Sequence, residues 1–262
     1  MSSTYTVKKG DCLYNIAKAN EVTLGELLAA NPNFTKKGRS PELIYPGETV
    51  IVPKKSKFCS SVDLKKGKAA CPLNKTSTLS EKEAQEIFDV LAKESHIPYD
   101  YPVDCCFTRA HEMCRIMKSN KIDCRKYWLF DKNWGTSAKL SLTPKKSDGK
   151  PVTFPDSKGN QKEVKWVYHV APTVKVKKSD GTIEDYIIDP SISDRPLPKD
   201  EWRKIMDDPV GSYTEESGSD AYFQNQKYGI YKDDPNGDKT KTQLKIHRAN
   251  RDANLKAAKK AP

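Results

Sequence analysis

Cys106, His169 and Asp189 are the residues of this chain best placed for chemistry on an amide. A thiol, an imidazole and a carboxylate in succession supply a nucleophile, a general base and the group that orients it, the set used for acyl transfer. Cys106 opens the stretch Cys106-Phe107-Thr108-Arg109-Ala110-His111, after which Cys114 and Met117 continue a helical spacing begun by Phe107 and Ala110. With Asp104 as N-cap, Cys105 and Cys106 fall in the first turn. There the positive end of the helix lowers a thiol pKa and free N–H groups hold an oxyanion. The plainer alternative is a buried core thiol, since cysteine is often interior.

The base must come from four histidines. His111 follows Cys106 by five residues, about 140° around the same helix, and cannot easily face the thiol. His96 precedes Pro98 and Pro102 in a loop, and His247 sits in a basic C-terminal stretch. His169 lies in the predicted strand Val164 to Ala171, with Trp166, Tyr168 and Val170 on one face and Val167, His169 and Ala171 on the other. A strand histidine among small apolar neighbours also suits a satisfied core residue, so elimination selects it.

Hairpin geometry tests Asp189. A two-residue Asp180-Gly181 turn pairs Ser179 with Thr182 and points Asp189 away from His169. A three-residue loop, Ser179-Asp180-Gly181 with Gly181 left-handed, pairs Lys178 with Thr182. It sets Ala171 opposite Asp189 and makes His169 a diagonal neighbour on the same face. A bulge at Pro172 restores the same parity. One of these two irregularities is expected.

The wider chain must hold these groups. Its 262 residues suit one or two domains, and 36% hydrophobic with 31% charged residues suits a polar protein with a modest core. No apolar run approaches the ~20 residues of a membrane span, so none is expected. The start, Met1-Ser2-Ser3-Thr4-Tyr5, has neither a basic n-region nor an apolar h-region. The expectation is export without a signal peptide, with action in the periplasm, the cell wall or a target cell. Six Lys+Arg against five Asp+Glu in residues 1–53 leave +10 of the net +11 beyond residue 53. The lysines are scattered without an aromatic-interleaved stripe, so nucleic acid is not an expected partner. Of seven cysteines, Cys59 with Cys71 and Cys114 with Cys124 are candidate disulfides, and reduced thiols are the alternative. No C-x-x-C pair occurs, so a structural zinc site is not expected, and the thiol chemistry itself calls for no metal or organic cofactor.

Composition divides the chain near residue 53. Residues 4–53 read as strand, helix, helix, strand: Thr4 to Lys8, a helix capped by Asp11 through Lys18, a helix from Thr23 through Ala30, and Thr49 to Val52. The residues Tyr5-x-Val7-x-x-Gly10-Asp11-x-Leu13-x-x-Ile16-Ala17, Leu27-x-x-x-Asn31-Pro32 and Pro46-Gly47-x-x-x-x-Val52-Pro53 resemble a LysM domain. Cys12 stands where that family often has serine, and Phe34 to Ser40 is an insert. The resemblance implies binding of peptidoglycan or another N-acetylglucosamine glycan between two loops, Gly10-Asp11-Cys12-Leu13 and Ile44-Tyr45-Pro46. A docking module without glycan binding is the alternative.

Residues 54–79 read as a polar linker, and Ser80-Glu81-Lys82-Glu83 as a capping box opening a helix with Ala84, Ile87, Phe88 and Leu91 inward. Beyond it, Tyr101-Pro102-Val103-Asp104-x-Cys106-x-x-Arg109-Ala110-His111-x-Met113, Trp166-x-Tyr168-His169-Val170-Ala171 and Ile187-Ile188-Asp189-Pro190-Ser191, with a weaker Trp202-Arg203, resemble the protein glutaminases over about 80–230. The expected organisation is a LysM domain at 1–53, a linker at 54–79 and a catalytic domain at 80–262. The expected class is α+β, a βααβ module followed by a papain- or transglutaminase-like domain with an antiparallel sheet.

The resemblance implies Cys106 as nucleophile, His169 as general base and acid, and Asp189 as its orienter. Protein substrates with accessible glutamine would be deamidated to glutamate with release of ammonia, through a thioester. Cys105 replaces a small residue before the nucleophile, which leaves two candidate thiols. A LysM module and no leader also suggest a bacterial effector or toxin, for which a cognate inhibitor or immunity protein is a further partner. Rival readings are a peptidoglycan cysteine peptidase or amidase, a transglutaminase that captures the thioester with an amine, and a non-enzymatic wall-binding adaptor. Asp104-Cys105-Cys106-Phe107 lacks the Ser-Gly that follows the nucleophile in peptidases of the NlpC type.

Overall fold

The computed structural model describes residues 3–20, 22, 24–35, 43–53, 58–61, 75–134, 142–146, 148–208 and 210–259. The chain forms two units, Met1–Lys57 and Phe58–Pro262.

In the first unit, β1 (Ser3–Thr6) pairs antiparallel with β2 (Thr49–Val52), Ser3 opposite Val52. Between them come α1 (Leu13–Ala19), α2 (Leu24–Ala30) and a 3-10 turn (Pro32–Thr35). Leu13, Ile16 and Ala17 recur at helical spacing and meet Leu27, Phe34, Val50 and Val52 in one apolar core. The expected N-cap, Asp11, is not the cap. Its carboxylate accepts from the Tyr5 hydroxyl (2.9 Å) and the Lys8 N–H (2.7 Å), and extended Cys12 holds the cap position with no side-chain bond. Buried Asn31 fastens the end of α2 to the strand, donating to Leu27 O and Ile51 O and accepting from Ile51 N. Thr23 and residues 36–42 of the expected elements lie outside the described residues.

The second unit is built on a sheet of order β10-β4-β7-β8-β9, with β3 joined to β7 in parallel. Its strands include β3 (Leu79–Ser80), β4 (Arg125–Phe130), β7 (Tyr168–Lys177), β8 (Ile183–Ile187), β9 (Leu197–Pro198) and β10 (Tyr213–Gly218). Small hairpins, β5 (Thr153–Pro155) with β6 (Gln161–Glu163) and β11 (Ala221–Asn225) with β12 (Ile230–Asp233), lie apart from it. On one face α3 (Glu81–Ala92) and α4 (Cys106–Ser119) set Ile87, Phe88, Leu91, Met113 and Met117 against Val174 and Val176. The other face carries Tyr127, Leu129, Ala171 and Ile187, covered by Trp166, Leu197 and Trp202, the last from α5 (Lys199–Ile205). A long helix, α6 (Asp238–Ala258), packs by Thr240, Leu244 and His247. Helices and a mixed sheet make the chain α+β.

Ser80 and Glu83 form the expected capping box. The segment read as a linker is partly built into this unit. Phe58 joins its core, Asn120 bonds Cys59 through both its Oδ1 (2.7 Å) and Nδ2 (2.9 Å), and Leu79 pairs with Val176. Polar composition hid these anchors, which work through backbone bonds. Cys59 is disulfide-bonded, and Cys71, its expected partner, lies outside the described residues. Cys12, Cys105, Cys106, Cys114 and Cys124 are free thiols, so the Cys114–Cys124 bridge is not formed.

Behind the site loop, His96 lies between Glu94 (3.2 Å) and Glu112 (3.0 Å), and Ser61 donates to both Glu94 oxygens. Burial opposes the charge on His96, yet its bonds to Glu112 and Glu94 push it up to about 9. A folded pKa above the unfolded value stabilises fully below about pH 6.5 and ceases to do so as pH rises through 9. His96→Gln should therefore cost about 2 kcal/mol at pH 6 and much less at pH 10, read by urea unfolding at both pH values.

Candidate active site

Cys106 is the first residue of α4, and the turn before it is tight. Cys105 takes the cap position in the left-handed region, φ 60°, where a residue other than glycine is strained. Asp104 is not the N-cap, because its carboxylate accepts from the Cys105 N–H at 2.6 Å. Arg109, one turn into the helix, donates to Asp104 O at 2.5 Å and closes the loop from within.

The Cys106 side chain is 5% exposed and packs with Ala110, Trp128, Phe130, Val170 and Phe223. Tyr168 packs against the same cluster, and its hydroxyl and the Phe107 N–H act electrostatically on the thiol. The thiol pKa expected from the helix end is reversed here: burial pushes it up to about 12, against the attraction of Arg109. Burial and Asp104 push Cys105 up to about 11. Both thiols are protonated at neutral pH.

The hairpin forms the three-residue loop. Lys178 N donates to Thr182 O, Gly181 has φ 87°, and Lys177 stands opposite Ile183 with Thr173 opposite Ile187. That register delivers Asp189 to His169: Nε2 and Oδ2 are 2.8 Å apart, with side chains 1% and 2% exposed. Asp189 Oδ2 also accepts from Trp202 Nε1 (3.0 Å), and Oδ1 from the Ser191 hydroxyl (2.5 Å) and N–H (3.3 Å). Burial opposes ionisation of Asp189, but His169, Ser191 and Trp202 hold its pKa at about 2. For His169, burial outweighs the pull of Asp189 and lowers the pKa, with Arg109 adding to the fall. The ring is neutral, Nε2–H donates to Asp189, and the buried Nδ1 has no hydrogen-bond partner.

Trp166 was expected on the opposite face from His169. Instead the two rings stack, 3.9 Å apart and 2° from parallel, and Trp202 stacks on the imidazole less closely, at 5.7 Å and 21°. The chain bends at Val167 and β7 begins only at Tyr168, so strand alternation does not reach Trp166. Its Nε1 donates to Pro102 O at 2.9 Å, tying the imidazole's stacking partner to the loop that leads into Cys106.

The structure thus brings His169 and Asp189 into direct contact and sets Cys106 beside Tyr168 and Val170, the neighbours of His169 in the chain. It does not join the sulfur to the imidazole by a hydrogen bond, since Nδ1 is unpartnered and alternation puts His169 across the strand from Tyr168. Sequence reasoning missed Trp166 and Trp202 as the walls of the imidazole, and Ser191 as a second anchor of Asp189. The Asp-x-Ser spacing is a local turn signal that would have found Ser191. Among the described residues no group of three or more His, Cys, Asp or Glu is placed to hold a metal.

In the first unit, the segments leading to the two expected glycan loops are tied at Val7, Gly47 N donating to Val7 O and Val7 N to Glu48 O. Gly10 has φ 91°, a backbone that favours glycine, and Asp11 braces that loop. Cys12 is half-buried, Leu13 is a core residue and Ile44 packs against the core. Pro46 is exposed, and Tyr45, 54% exposed, offers the largest open ring of the seven.

Residues 84–206 match the family model described as Glutaminase, and residues 5–53 match the one described as LysM domain. A crystal structure of protein-glutaminase aligns with a TM-score of 0.50 at 23% identity, covering 66% of this chain and 89% of that chain. A crystal structure of a mutant pro-protein-glutaminase also has a TM-score of 0.50 at 23% identity, covering 76% and 69%. The solution structure of protein-glutaminase from Chryseobacterium proteolyticum has a TM-score of 0.49 at 22% identity, covering 66% and 90%. No curated protein matches. At such identities the structural likeness is one of fold. The two family matches thus divide the chain into a LysM domain at residues 5–53 and a glutaminase domain at residues 84–206.

Proposed function

We propose that the second unit hydrolyses glutamine side chains of proteins to glutamate and ammonia, with Cys106, His169 and Asp189 as its triad. The observation that carries the reading is the neutral imidazole of His169, held by Asp189 through Nε2 and offering a buried, unpartnered Nδ1. In the reaction the imidazole comes within hydrogen-bond reach of the sulfur, Nδ1 takes the thiol proton, and the sulfur attacks the carboxamide carbon. Backbone N–H groups at the start of α4 receive the oxyanion. The imidazolium, steadied by Asp189, protonates the departing ammonia. Water activated by His169 then hydrolyses the thioester. The LysM domain retains the enzyme on peptidoglycan or a similar glycan, and the protein acts outside the producing cell as an effector.

The test is incubation with casein and, separately, with purified peptidoglycan, scoring ammonia, glutamine-to-glutamate conversion by mass, crosslinks and released muropeptides. Ammonia with conversion on casein is the expected result. Muropeptides without ammonia would replace the reading with a peptidase, and crosslinks with a transglutaminase.

The lowered pKa of His169 gives a pH expectation. A base works only when unprotonated, so kcat/KM should fall on the acid side with a midpoint below about pH 6.5. An acid limb centred above pH 7 in the rate profile would contradict the neutral, buried imidazole.

A further inference from the structure

Lys126 is wholly buried in the second unit, and its ammonium has only neutral acceptors. Nζ donates to His111 Nδ1 at 2.9 Å and to Ala221 O, while His111 Nε2 donates to Asp234 O at 3.0 Å and so leaves Nδ1 as a lone pair. Among the described residues no carboxylate is ion-paired with Lys126. A buried cation without a directly paired counter-charge is costly and leans on the anionic groups around it. Within electrostatic reach are two free thiols, Cys114 in the second half of α4 and Cys124 just before β4, and, with smaller effect, the carboxylates of Asp220 and Asp234. Cys124 Sγ donates to Cys114 O at 3.9 Å, which sets the two thiols side by side where each acts on the other's titration. Cys114 is fully buried, whereas Cys124 is half-buried and opens the pair toward solvent.

We propose that Cys114, Cys124 and Lys126 form a redox-active dithiol centre that closes to a disulfide by exchange with a small disulfide such as oxidised glutathione. The pair shares protons between its sulfurs, so its first ionisation belongs to both. Burial opposes a charge on Cys114, but the Cys124 thiol and the Lys126 ammonium stabilise it and bring its pKa down. Burial lowers the Lys126 pKa, and Cys114 is first among the groups that oppose the fall, followed by Cys124, Asp220 and Asp234.

The chemistry balances in two exchanges. Cys124, whose pKa is pushed up by Cys114 and by burial, passes its proton to Cys114 and attacks one glutathione sulfur, forming a mixed disulfide and expelling a glutathione thiolate. Cys114 thiolate then attacks the Cys124 sulfur, closes the protein disulfide and expels the second glutathione thiolate. The two protein thiol protons end on the two released glutathiones, and the two electrons with them. The link ties the second half of α4 to the start of β4, two turns along the helix from Cys106.

The test uses the folded full chain in buffers of graded oxidised-to-reduced glutathione, read by alkylation, intact mass and peptide mapping. The expected result is a Cys114–Cys124 linked peptide and loss of two hydrogens, reversed by reduced glutathione, with Cys106 alkylated throughout. Cys114→Ser should stop the reaction at a stable glutathione adduct on Cys124. Lys126→Met removes the cation that stabilises the reduced form, so the midpoint should move about tenfold toward the disulfide. No linked peptide at the most oxidising ratio in a folded protein, or linkage to Cys105 or Cys106 instead, overturns the proposal. An unmoved midpoint in a folded Lys126→Met protein removes the lysine from the centre. Should that variant not fold, the wild-type and Cys114→Ser titrations decide.

Discussion

Cys106→Ala should abolish ammonia release from casein, a fall of roughly 10⁴-fold or more, while Cys105→Ala stays within about threefold of the wild type. Only Cys106 projects from the first turn of α4 with the Phe107 N–H acting electrostatically on its thiol. Cys105 precedes the helix on a left-handed backbone and packs away as a protonated thiol. Its conformation suits glycine, so Cys105→Gly tests structure separately from chemistry. Relief of the left-handed strain, about 1 kcal/mol, should offset part of the lost side-chain packing. Ammonia release is the deciding assay, with thermal unfolding to show that both alanine variants remain folded. Activity that survives in Cys106→Ala, or dies equally in both variants, removes Cys106 as the nucleophile.

Asp189→Asn should lower kcat by roughly 10²- to 10⁴-fold with KM little changed. The carboxylate accepts on both oxygens at once, from His169 and Trp202 on Oδ2 and from Ser191 on Oδ1. An amide has one acceptor and one donor end. Whichever way it is turned, an NH2 group faces an N–H or hydroxyl donor, in a site where Asp189, His169 and Trp202 are buried and Ser191 half-buried. One arrangement leaves the imidazole opposite a donor, which favours the tautomer that protonates Nδ1 and blocks proton uptake from the thiol. The same substitution deprives the imidazolium of its counter-charge, so the acid limb of any residual activity should move further down in pH. Steady-state kinetics across pH reads both effects. A variant with near-normal kcat would show that Asp189 serves packing rather than proton transfer.

Much of this arrangement is legible in local sequence rules. Ser80 and Glu83 announce the start of α3, Asn31-Pro32 ends α2, and Ser179-Asp180-Gly181 selects the loop whose register carries Asp189 to His169. These features depend on neighbours along the chain. The misread positions depend on contacts far apart in sequence. Trp166 stacks on His169 because a bend at Val167 ends the alternation that a continuous strand would impose. The raised pKa of Cys106 comes from Trp128, Phe130 and Phe223 closing over it, which helix position alone does not reveal. Phe58 and Leu79 sit among lysines and serines that read as linker, and only the fold brings them to the core.

The tip formed by Ser179, Asp180 and Gly181 is exposed and resembles a place where length can vary freely. Yet strand parity converts one residue gained or lost there, if passed down the ladder, into a half-turn of the side chain that must reach His169. Variation at this distant tip is thus expected in steps of two, or with a compensating bulge. A surface hinge of this kind fixes, by counting alone, whether the carboxylate meets its ring or faces the opposite wall.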